Sequence, residues 1–153
     1  MRCYRLYENI PTHSALGFGL GSGRWNHAGT PLIYASNMVT LPFMELYSIK
    51  GPVVASSDWV LATLEIPDEI PELDIESLPQ NWNWRPARNA TKDFGTVWAN
   101  TQQFLCLKIP SARIPLMAYP KECNILINPL HPDFHGLIKM ISEERVDFTL
   151  DSL

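Results

Sequence analysis

At 153 residues the chain is long enough for one domain with a packed core and leaves little room for a second. A composition of 46% hydrophobic and 18% charged residues excludes a disordered chain. A formal charge of −4, with no block of lysines or arginines, argues against nucleic acid as the direct ligand, because phosphate contacts supply most of such a protein's affinity.

No apolar run approaches the roughly 20 residues needed to span a bilayer, so no membrane contact is expected. Cys3, Cys106 and Cys123 are an odd set without a CxxC pair, and no charged-then-apolar signal opens the chain. The expectation is a soluble cytoplasmic protein. Its 13 prolines are spread along the sequence and predict short strands and ordered loops rather than long helices.

Residues 2–7 alternate as a short strand. Residues 8–30 read as loop, with Pro11, glycines at alternate positions from Gly17 to Gly23, and Gly29. PLIYAS, 31–36, predicts a second strand. Residues 40–49 predict a short helix with Thr40 as N-cap, Pro42 in the first turn and Gly51 as its stop. DWVLATLEI, 58–66, has the composition of a central strand, and an acidic, proline-punctuated connection runs from Pro67 to Pro79. A stretch with Trp82 and Trp84 leads to two more strands, 104–109 and 124–128. HPDFHGLIKMI predicts a helix opening at Pro132, and RVDFTL, 145–150, a last strand. The order predicts a mixed α+β fold in a single domain over residues 1–153.

Four familiar motifs fail on inspection. GFGLGSG, 17–23, has serine or arginine where the dinucleotide fingerprint needs its last glycine, and the GK[ST] of a phosphate-binding loop is absent. His131, Asp133 and His135 are spaced for a strand, yet Pro132 points to a helix start, where ligands prefer spacings of three or four. Asp133 there complements the helix dipole, and no metal is expected. No GxSxG elbow supports a serine hydrolase.

Four segments, GRWNHAGTPLIYAS (23–36), LPFMELYS (41–48), LCLKIPSARIP (105–115) and NILINPLHPDF (124–134), resemble the RES domain family in order and spacing. The arginine, glutamate and serine that name the family fall on Arg24, Glu45 and Ser111, and its strand tyrosine on Tyr34. The resemblance implies a fold like that of the ADP-ribosyltransferases and a toxin restrained by an Xre-type antitoxin. It also implies NAD as substrate, either degraded at the nicotinamide–ribose bond by a glycohydrolase or phosphorylase, with water or phosphate accepting the ADP-ribose, or used for ADP-ribosyl transfer. A non-catalytic binding module is a third reading, and the intact four-residue set counts against it. A homodimer is left open. The family's usual acidic ending beside an Arg-Leu pair is replaced here by DFTLDSL, which leaves the tail without an assigned role.

The residues make chemical sense for NAD. A guanidinium holds phosphate in a bidentate fork, which suits Arg24 beside a glycine loop, although an arginine there also serves as a surface or tethering residue. Tyr34, with Trp25 and Trp98 on the same surface, offers an aromatic face to the cationic nicotinamide, while a mid-strand tyrosine is otherwise a core residue. Glu45, among apolar neighbours Phe43, Met44, Leu46 and Tyr47, is the carboxylate to face developing positive charge. Ser111, after Pro110, could bond nicotinamide, ribose or Glu45, and is otherwise an ordinary turn serine. Asn128, Pro129 and His131 match the family's NP-x-HP signature, and Asn128 and Asn124 are expected at the pocket wall.

Overall fold

The computed structural model describes residues 1–151. Six strands form one antiparallel sheet: β1 (Arg2–Glu8), β2 (Ile33–Ser36), β3 (Trp59–Glu65), β4 (Cys106–Ile109), β5 (Asn124–Ile127) and β6 (Lys139–Val146). Their spatial order is β4-β5-β2-β1-β3-β6. Three helices accompany them, α1 (Thr40–Lys50), α2 (Asn89–Thr101) and the single turn α3 (Phe134–Leu137). The fold is α+β, as the element order predicts.

Strand alternation divides the sheet into two covered faces. Cys3, Ile33, Ala35, Ala62, Leu64, Cys106, Ile125 and Ile127 pack with Phe134 and Ile138 on one face. Leu107, Ile109 and Leu126 pack with Trp25, Trp82, Trp98 and Ala99 on the other, with Tyr34 at the margin. Both faces are buried, so β5 reads as the unbroken apolar run ILI rather than as an alternation. The three cysteines are unpaired and buried, and burial pushes the Cys3 and Cys106 thiols up to about 12 and Cys123 to about 11.

The sheet is forked at its middle. β1 and β2 share only the pair Tyr4–Ser36. Leu6 and Tyr34, which the same register would bring opposite each other, are unpaired across this seam, and both line the cleft described below.

Several sequence expectations shift. Thr40 is the first helical residue of α1 rather than its cap; Val39 occupies the cap without a side-chain hydrogen bond, while Gly51 ends the helix at φ 66°, as expected. The helix expected from Pro132 stops after one turn, and Lys139, Met140 and Ile141 belong to β6. The last strand accordingly lies at 139–146 rather than 145–150, because its pairing with β3 supplies hydrogen bonds that a local reading of KMI does not foresee.

Helix α2 was not expected at all. It carries Gly95 and two β-branched threonines in its interior, a poor intrinsic helix former. Packing overrides propensity here. A Cβ on Gly95 would lie 1.7 Å from the Trp25 carbonyl oxygen, so glycine alone lets the helix approach that backbone. The acidic connection is also more than loop: Lys108 N–H donates to Pro71 O and Leu73 N–H to Lys108 O, fringing the β4 edge, with Glu72 and Lys108 ion-paired at 3.6 Å.

Among the described residues no helix is long and apolar enough to cross a membrane.

Candidate active site

A cleft of about 590 Å³ opens on the fork between β1 and β2, within the size range of small-molecule sites. Its floor is β2 and the start of β5, one wall is the inner side of α1, and the rim comes from residues 22–25 and 85–87 with Pro110, Ala112 and Arg113.

Glu45 is the most heavily constrained side chain in it. Its Oε1 accepts hydrogen bonds from Ser111 Oγ and Asn124 Nδ2, both at 2.7 Å, and its Oε2 accepts from Arg113 Nε at 3.2 Å. The partners are themselves oriented. Ser111 Oγ accepts the Arg113 backbone N–H at 3.1 Å, so its one proton is directed at Glu45. Asn124 Oδ1 accepts from Ser36 Oγ at 2.6 Å, which fixes the amide with its NH₂ towards Glu45. Ser111 is 2% exposed and spends its hydroxyl on this network.

Arg24 reaches the cleft from the glycine loop. Its Nη1 donates to the carbonyls of Trp82 and Trp84, both at 2.9 Å, which explains the role of that tryptophan-rich stretch. The other guanidinium N–H groups remain for a ligand. Burial, together with the nearby positive charges of Arg113 and Arg85, holds its pKa below the usual arginine range.

Tyr34 lines the cleft, but its hydroxyl is committed: it accepts from Trp25 N–H at 3.1 Å and donates to Asn26 Oδ1. Burial pushes this phenol well above its ordinary pKa, so it offers a ring and not a proton. Gly23 sits directly against it; a Cβ there would fall 2.6 Å from the tyrosine oxygen. Asn26, fully enclosed, donates to Gly21 and Thr30 carbonyls and closes the glycine loop on itself. The alternate glycines are therefore structural in part, as the failed nucleotide-loop motif suggests.

The sequence-derived site is thus brought together for Arg24, Tyr34, Glu45 and Ser111, and for Asn124 with a sharper role than a wall residue. Two others fall elsewhere, and Trp25 is shared between cleft and core. Trp25 borders the cleft but is a core residue, 2% exposed, with its ring packed edge-on against Phe94 at 5.9 Å. Trp98 lies wholly in the second core cluster. Asn128 is buried away from the cleft, donating to Ala99 O at 2.9 Å and accepting from Leu130 N–H at 3.0 Å. It ties the end of α2 to the turn after β5, so no polar group of Asn128 remains for a dinucleotide. His131 Nδ1 accepts the Asp133 N–H, a local turn contact. Among the described residues no group of three or more His, Cys, Asp or Glu could hold a metal ion. Arg5, an alternative phosphate ligand on charge alone, spends its guanidinium on the Ser14 and Ala15 carbonyls outside the cleft.

Sequence reasoning missed Arg85 and Lys92 altogether. Both line the cleft, and no local pattern marks them, because the loop and helix that carry them meet the site only through tertiary packing.

The chain matches the RES domain over residues 2–151. It belongs to the RES domain family. Among its relatives, "Toxin Res" of Photorhabdus laumondii subsp. laumondii is 33% identical over 99% of this chain and 96% of that protein. The "Prs ADP-ribosylating toxin" of Sphingobium sp. is 31% identical over 81% of this chain and 76% of that protein. Among solved structures, the M. tuberculosis MbcT-MbcA toxin–antitoxin complex contains a chain of the same fold as this RES domain, with a TM-score of 0.72 over 95% of this chain and 84% of that one at 15% identity.

Proposed function

We propose that this RES domain is the toxin of a toxin–antitoxin pair and acts on NAD, breaking the bond between nicotinamide and ribose. The observation that carries this reading is a carboxylate held on three sides at the bottom of a cationic cleft. Four of the chain's 12 lysines and arginines line it, Arg24, Arg85, Lys92 and Arg113, against one of its 16 acidic residues, Glu45. In a protein of net charge −4 such segregation focuses a positive potential where a pyrophosphate would lie.

The chemistry follows from charge. Departure of neutral nicotinamide leaves positive charge on the ribose carbon and ring oxygen, an oxocarbenium-like state. Glu45 supplies a fixed negative charge that needs no reorganisation as this state forms, because Ser111, Asn124 and Arg113 already hold it. The free edge of the Arg24 guanidinium binds the pyrophosphate, and the Tyr34 ring offers its face to the cationic pyridinium. Water accepts the ADP-ribose in the simplest form of the reaction.

ADP-ribosyl transfer to a protein is the second reading, favoured by the relative in Sphingobium whose name describes ADP-ribosylation. An enzyme that consumes NAD in the cytoplasm requires restraint, and an antitoxin covering the cleft would provide it.

The decisive assay incubates the purified chain with NAD carrying label in the nicotinamide and in the adenine. Release of nicotinamide with free ADP-ribose supports hydrolysis. Release with label retained on protein, seen only when cell extract is added, supports transfer. No nicotinamide in either condition overturns both.

A further inference from the structure

The two oxygens of Glu45 are engaged differently. Oε1 accepts from Ser111 Oγ and Asn124 Nδ2, which fills both lone pairs of a carboxylate oxygen. Oε2 accepts only from Arg113 Nε, at 3.2 Å, and keeps one lone pair for a ligand hydroxyl. The guanidinium is thus held by its flank. Its two Nη groups, the fork that grips an oxyanion, make no hydrogen bond among the described residues. The residue is well anchored all the same: its backbone N–H is bonded to Ser111 Oγ at 3.1 Å, and its side chain, at the cleft wall, is 10% exposed. Burial and then the charge of Arg113 hold the Arg24 pKa down, so the two guanidinium groups share one field.

A guanidinium this close to Glu45 cancels much of the field that the carboxylate would exert on a developing cation. A dianion on the Nη fork would offset the guanidinium and return that field to Glu45. Among the described residues lining the cleft Glu45 is the only acid, so no side chain there supplies the missing negative charge. A substrate has to bring it. We propose that Arg113 is a specificity-determining residue that bridges Glu45 and the pyrophosphate of the dinucleotide, so that Glu45 acts at full strength only on a substrate carrying that group. The proposal rests on the NAD reading of the cleft. A nicotinamide nucleoside without phosphate has the same scissile bond, yet it meets a carboxylate whose charge Arg113 offsets.

The test compares nicotinamide release from NAD and from nicotinamide riboside, as kcat/KM, in wild type and three variants of the intact chain. Wild type should strongly prefer NAD. In Arg113→Gln, cleavage of NAD should fall about tenfold, mostly through KM, while cleavage of the riboside rises about tenfold. A gain on one substrate cannot come from misfolding. Arg113→Lys keeps the charge beside Glu45 but loses the fork, so NAD cleavage should fall with no gain on the riboside. Arg85→Gln removes a positive charge from the cleft wall without removing a partner of Glu45, and its riboside cleavage should stay low. Absence of a riboside gain in Arg113→Gln, whatever happens to NAD, overturns the proposal and leaves Arg113 as a support for Glu45. A gain of equal size in Arg113→Lys or Arg85→Gln overturns it too. Failure of the NAD reading is distinct: wild type then releases nicotinamide from neither substrate.

Discussion

Helices α1 and α2 flank the same cleft and are held there by opposite means. α2 is a packing element: it buries Thr91, Gly95, Trp98 and Ala99 and brings Gly95 against the Trp25 backbone. α1 buries only Leu41 and Pro42 and leaves Met44, Tyr47 and Ile49 exposed, yet it carries the central carboxylate. What holds α1 is the hydrogen-bonded cluster around Glu45 and a single aromatic brace. Phe43 meets Phe148 of the C-terminal tail at 5.3 Å, and Phe148 in turn meets Trp59 of β3 at 6.1 Å. The contrast teaches that stability and function are assigned to different helices, so substitutions in the two should fail in different ways.

The largest effect is expected at Gly95. Gly95→Ala drives a methyl into the Trp25 carbonyl, against backbone that cannot yield cheaply. A loss on the order of 3 kcal/mol is expected, a large fraction of a domain's stability, with activity lost in parallel. Denaturant titration measures it; an unchanged midpoint would mean that α2 is not packed as described.

Next comes Glu45→Gln, which keeps size and some hydrogen bonding but removes the charge. Turnover of NAD should fall by about 10²–10³, with a smaller change in NAD affinity. The denaturant midpoint should fall as well, by on the order of 1–3 kcal/mol, since the largely buried Arg113 loses its charged partner. If affinity falls as far as rate, Glu45 acts in ground-state binding instead.

Phe148→Ala sharpens the comparison from a distance. Removing the brace should lower turnover about tenfold through misplacement of Glu45, with KM little changed. Phe148→Leu should restore most of it. Equal loss in both variants, or a loss confined to stability, would show that the tail plays no part in positioning α1.

The smallest effect concerns the thiols, which belong to the packed part of the molecule. With Cys3 and Cys106 raised to about 12 and Cys123 to about 11, an alkylating reagent near pH 8 should leave all three unmodified until denaturant is added. The unfolded chain's thiols ionise near their ordinary value of 9, below the folded values, so their contribution to stability is present at neutral pH and lost as pH rises above about 9. Rapid modification of native protein would place them outside the core.

Much of this protein follows from sequence alone. The strands at 2–7, 31–36, 58–66, 104–109 and 124–128 are legible because each is a short run of β-formers bounded by turn residues, and α1 because Pro42 and Gly51 punctuate it. The identity of Arg24, Tyr34, Glu45 and Ser111 comes from the resemblance of four separated segments, which local chemistry makes sensible without requiring it. Tertiary structure decided the rest. It made a helix of 89–101 against propensity, because burial of one face and a glycine-mediated contact outweigh intrinsic preference. It turned Asn128 and Trp98 inward, since side-chain direction depends on which face of an element meets the core. It also gathered Arg85 and Lys92 with Arg24 and Arg113 around one carboxylate. Charges far apart along the chain acquire a common field only once folding brings them to one shared cleft.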